Sequence, residues 1–142
     1  MKNKNNIKCT EHTINDIITE LKKLKSNGVK YPRVLLKYKY PDENNGKPIL
    51  NKVHMRSIDC TLTKSDVNED ILCIHFDCHN IDRKDKYDKW SVYTKIDDFI
   101  SFLERIPVLK DVPVALDFYY CKKTCEYDIT VNSSDKVWNV YI

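Results

Sequence analysis

The sequence predicts an α+β domain: a largely antiparallel sheet with two amphipathic helices on one of its faces. Two observations carry this. Two stretches repeat apolar residues at helical spacing, and the runs around them alternate apolar and polar residues at strand spacing, nearly consecutively, with no further helical pattern between them.

The helical stretches are residues 13–26 and 94–106. In the first, Ile14, Ile17, Ile18, Leu21 and Leu24 fall on one face; in the second, Ile96, Phe99, Ile100, Leu103 and Ile106 recur at the same steps. Thr13 and Thr94 are the expected N-caps, with Asp16 and with Asp97 and Asp98 in the first turns, where the helix dipole favours negative charge. Gly28 supplies a left-handed stop after the first helix, and Pro107 stops the second.

A short linker and an alternating run follow each helix: Val34, Leu36, Tyr38 and Tyr40 in one case, Val114, Leu116, Phe118 and Tyr120 in the other. Pro32 and Pro113 precede these runs, a position strands tolerate. Further strands are expected over residues 53–62 (Ile58, Cys60 and Leu62 on one side) and 71–78 (Leu72, Ile74, Phe76 and Cys78 on one side). A closing hairpin is expected from Tyr127, Ile129 and Val131 through residues 132–135 to Trp138, Val140 and Ile142. Short strands at 7–9 and 90–93 would complete two pseudo-repeated (β)-α-β-β-β halves, 7–79 and 90–142, joined by the polar connector 80–89 within a single domain, 1–142. Residues 41–48, rich in Asn, Asp, Gly and Pro, read as a hairpin tip.

Composition narrows the class. A chain of 142 residues, 42% hydrophobic and 32% charged, is long enough for one core. Its first ten residues are polar and basic, and no apolar run approaches a membrane span or a signal-peptide core, so the expected location is the cytoplasm, with no membrane association. In that compartment Cys9, Cys60, Cys73, Cys78, Cys121 and Cys125 are expected as reduced thiols. Charge is uneven: residues 1–40 hold ten Lys/Arg against three Asp/Glu, an excess of seven, so the remainder is net negative under a total of +3. Abundant Lys, Asn, Ile and Tyr beside two Gly resemble the bias of an AT-rich genome, which weakens any argument from lysine abundance alone.

Chemistry-bearing residues gather on the alternating runs. Cys73, His75, Cys78 and His79 place four groups of zinc-ligand type within seven residues, but alternation turns Cys78 away from Cys73 and His75, so they are weak candidates and no metal or other cofactor is expected. Asp59, Cys73, His75 and Asp77 share the non-core face of neighbouring runs; no glycine elbow or oxyanion-forming loop accompanies them, so catalysis is not expected either.

The leading expectation is a small protein-binding or ligand-sequestering module of inhibitor, immunity or mobile-element accessory type. It would act through a patch of Arg33, Lys37, Lys39, Asp117 and Tyr119, on a protein partner or on a second copy as a homodimer. Trp90, Tyr93, Tyr119, Tyr127, Trp138 and Tyr141 supply more aromatic surface than one core needs. The first alternative is nucleic-acid binding by the basic amino-terminal part, against which stands the expected placement of Tyr38 and Tyr40 on the apolar side, out of reach of bases. The second alternative is a small enzyme or metal-binding protein using Cys and His.

Overall fold

The computed structural model describes residues 10–40, 42–65, 67–79, 94–120, 123–125 and 129–142. The strands expected at 7–9 and 90–93, the connector 80–89, and Cys9, Trp90, Tyr93, Cys121 and Tyr127 lie outside the described residues, as do the side chains of His79 and Cys125.

The elements in chain order are α1 (Ile14–Ser26), β1 (Arg33–Lys37), β2 (Leu50–Lys64), β3 (Asp70–His79), α2 (Ile96–Arg105), β4 (Ala115–Tyr120), β5 (Lys123–Cys125), β6 (Thr130–Ser134) and β7 (Val137–Tyr141). They build an α+β fold around one sheet, ordered β5-β4-β3-β2-β1-β7-β6. Four neighbour pairs are antiparallel and two are parallel, β3 with β4 and β1 with β7. The sequence-adjacent parallel pair, β3 and β4, is bridged by the segment that contains α2, the connection parallel neighbours require.

Both helices bury the faces their spacing assigns. Ile14, Ile17, Ile18, Leu21 and Leu24 of α1 join Ile96, Phe99, Ile100 and Leu103 of α2 against the inward residues of the sheet, among them Val34, Leu36, Ile74, Phe76, Leu116, Phe118, Trp138 and Val140. Each large side chain so buried stabilises the fold by about 1.5–3 kcal/mol. Thr13 caps α1 through a full capping box, its hydroxyl accepting from the Asp16 N–H and the Asp16 carboxylate accepting from the Thr13 N–H. Gly28, at φ +88°, turns the chain out of α1. The second helix starts one residue later than its sequence suggests: Lys95 is its N-cap, because the Thr94 hydroxyl donates instead to the Arg56 carbonyl, at 2.6 Å.

The sheet is strongly curled. Four strand spacings separate β4 from β7, roughly 19 Å in a flat sheet, yet the Phe118 and Trp138 rings lie 5.5 Å apart, with Phe76 within 5.1 Å of both. The helices fill the concave side of this curl. α1 and the segment leading into it also protect the β6 edge: His12 Nε2 accepts from the Val131 N–H at 3.2 Å, and the Glu20 carboxylate accepts from the Ser133 N–H. Outward edge amides that would template pairing with another chain are thereby occupied.

The strands of the two halves are distributed unequally. β1, β2 and β3 are contiguous, whereas β4-β5 and β6-β7 sit at opposite ends of the sheet, so the topology lends no support to duplication. The closing hairpin turns at Asp135 and Lys136, with Asp135 at φ +53°, later than residues 132–135 alone suggest. Asn132 and Ser134 remain in β6 because their side chains accept hydrogen bonds from Asn139 Nδ2. Strand β1 ends at Lys37; Tyr38 is half-buried and Tyr40 is 70% exposed, so the expected inward placement of Tyr40 does not occur. No helix among the described residues is long and apolar enough to cross a membrane.

Candidate functional site

No described helix packs on the convex face of the sheet, and a bulge decides what that face carries. Val53 and Met55 of β2 point into the core, as do Ile58 and Cys60 beyond an irregularity between Met55 and Ser57. One inserted residue reverses the alternation. Without it Asp59 and Thr61 would face the core; with it Ser57, Asp59 and Thr61 face outward.

Three rows then cross β2, β3 and β4. Ser57 lies opposite Asp77 and Tyr119, Asp59 opposite His75 and Asp117, and Thr61 opposite Cys73 and Ala115. Ile71, Cys73 and Ala115 form a small buried apolar cluster beside them. The first two rows, together with Thr61, border an open cleft of about 390 Å³.

At the centre of the cleft His75 is held from both sides. Its Nδ1 lies 2.7 Å from Asp117 Oδ2 and its Nε2 lies 2.7 Å from Thr61 Oγ1. Asp117 is 6% exposed, and its second oxygen, Oδ1, is buried with no hydrogen-bond partner among the described residues. The hydrogen bond to Asp117, followed by that with Cys73, outweighs the desolvation of the ring and pushes the His75 pKa up to about 10. At neutral pH both ring nitrogens therefore carry protons and donate, one to Asp117 and the other to Thr61.

The order Thr61–His75–Asp117 has the connectivity of a nucleophile, a base and an orienting carboxylate. The upward shift of the His75 pKa works against that chemistry, since an imidazolium cannot take the hydroxyl proton. Thr61 is also mid-strand, paired in the β2–β3 ladder, so its surroundings do not form the loop of converging N–H groups that an oxyanion needs. What the arrangement does offer is a fixed cation over a buried carboxylate with one unused oxygen, an exposed carboxylate at Asp59, and the Tyr119 ring, 40% exposed, at the rim.

No family model, curated protein or solved structure matches this chain.

The five residues expected to form a partner patch are divided among three depressions. Asp117 and Tyr119 line the cleft above. Arg33 lines a second depression, of about 290 Å³, with Lys30, Tyr31 and Lys136. Lys37 and Lys39 line a third, of about 200 Å³, with Tyr40, Lys47 and Tyr141. Of the weak metal candidates, Cys73 and His75 lie on the convex side of the sheet, Cys73 fully buried there with Ile71 and Ala115, while Cys78 is buried in the main core, and no group of three or more metal-ligating side chains gathers among the described residues. Trp138, counted as surplus aromatic surface, is fully buried in the core. Ser57 and Thr61 were not anticipated; the outward parity that places them depends on the bulge.

Proposed function

We propose that the chain is a small, non-enzymatic protein-binding module of the inhibitor or immunity type, acting in the cytoplasm, that docks through the convex face of its sheet. The cleft receives a cationic side chain of the partner, and the observation that carries this reading is Asp117. Asp117 and Asp59 put two carboxylates in the lining of one cleft, and a cation docked there is attracted by both, Asp117 having one oxygen that lacks a donor among the described residues.

An arginine suits the site better than a lysine. Its planar fork can donate to the exposed Asp59 carboxylate while its face stacks on Tyr119, whereas an ammonium offers a single point of charge. The Thr61 hydroxyl and the fixed imidazolium limit how far the side chain enters, which favours a guanidinium at the rim of the His75–Asp117 pair. Partner capture with wild-type, Asp59→Lys and Tyr119→Ala proteins tests the reading. Wild type should retain a stoichiometric protein partner, cross-linked through a basic residue beside Asp59, and both variants should lose it. Capture that survives both substitutions contradicts the proposal.

A further inference from the structure

A second surface, distinct from the acidic cleft, runs along β1. Val34 and Leu36 are buried, so Arg33 and Lys37 project from the opposite side of the strand. At about 3.3 Å per residue their backbone positions are roughly 13 Å apart. A depression lies at each end of this line: Lys30, Arg33 and Lys136 edge the first, and Lys37, Lys39 and Lys47 edge the second. Among the described residues, Glu43 is the one acidic residue in the two linings. Each depression also contains an exposed aromatic ring. Tyr31, 39% exposed, has Lys30 Nζ 5.7 Å from its ring centroid, and Tyr40 is 70% exposed, with Tyr141 half-buried nearby in the same lining.

Lysines alone would be weak grounds in so lysine-rich a chain. The interleaving of cations with exposed rings at two points of one strand is more specific, because it provides charge for a phosphate backbone and flat surfaces for unpaired bases. We infer that the β1 surface binds a single strand of nucleic acid, with phosphates along Arg33 and Lys37 and bases stacked on Tyr31 and Tyr40. A duplex keeps its bases stacked inside and would leave both rings unused.

The test is a fluorescence-anisotropy titration with labelled oligo-dT and oligo-U of about 12 nucleotides, within the site sizes usual for such surfaces. A duplex of equal length, heparin and poly-glutamate serve as competitors. The expected result is binding of a single strand that weakens steeply with salt and resists the three competitors. Tyr40→Ala should weaken it by about tenfold at an unchanged salt slope, since stacking and ion release are separate contributions. Lys37→Ala should reduce the logarithmic salt slope by about one unit. Tyr40 is solvent-exposed, so its variant can be matched to wild type by circular dichroism before titration. Equal binding of heparin or duplex, an unaltered affinity in Tyr40→Ala, or preferential displacement by poly-glutamate would overturn the inference, the last in favour of an acidic protein.

Discussion

The convex face carries two charged regions that are held in opposite ways. Across β2, β3 and β4 the charges are built into the fold: Asp117 is almost fully buried, clamps His75 at 2.7 Å, and depends on a bulge in β2 for its neighbours. Along β1 the charges project from a strand whose stability comes from Val34 and Leu36 beneath them. Substitutions in the first region should therefore alter folding as well as binding. In the second they should alter binding alone, and this contrast can be tested step by step.

The largest effect is expected from Asp117→Ala. Removing the carboxylate leaves His75 without its stronger partner, so urea unfolding should show a loss of about 1–3 kcal/mol. If Asp117→Ala is as stable as wild type, the two regions do not differ in the way described.

The pH dependence of the same pair follows from the direction of its shift. The folded pKa of His75 is raised from 6.5 to about 10, so its stabilising contribution is complete below about pH 6.5 and is lost as pH rises through 10. Wild-type stability should decline over that window, and the part of the decline due to His75 should disappear in Asp117→Ala. Equal slopes in the two proteins would separate His75 from the folding equilibrium.

Glu20 gives the corresponding case at acid pH. Burial tends to raise its pKa, but hydrogen bonds from Ser133 and the nearby Lys23 outweigh that and lower it. Its contribution is therefore present above the ordinary value of 4.5 and is lost as pH falls through its lowered pKa. Glu20→Ala should cost about 1 kcal/mol and expose the Ser133 amide on β6. Hydrogen exchange at that amide, faster in the variant than in wild type, checks the assignment.

The smallest effect belongs to β1. Arg33→Ala and Lys37→Ala should each change stability by no more than about 0.5 kcal/mol, as usual for surface positions outside a structural network. A larger loss would show that the basic surface is also part of the structural framework.

How much of this was legible in the sequence follows the range of the interactions involved. The helices were legible because their periods are local: every apolar position named for α1 and α2, together with Ile106, is buried. The alternation of β3 and β4 was equally clear, and it placed His75 and Asp117 outward. The parallel register that sets them opposite each other was not legible, since a crossover through α2 fixes no spacing as a tight turn does. The bulge in β2 was hidden for another reason. Met55, Arg56 and Ser57 carry no glycine or turn signal, and only the pairing with β3 shows that one residue is extra. Leu62 illustrates the limit of pattern reading: its spacing matches Ile58 and Cys60, but it is 75% exposed near the end of β2.

Docking through the convex face, as proposed, requires that the His75–Asp117 cleft accept a guanidinium. The most direct test is a chemical-shift titration of the isotope-labelled chain with a short arginine-containing peptide and its citrulline counterpart, which keeps the shape and removes the charge. Saturable shifts confined to Ser57, Asp59, Thr61, His75 and Tyr119 are expected with arginine, and none with citrulline. Equal responses to both peptides, or arginine shifts centred outside the cleft, would contradict it.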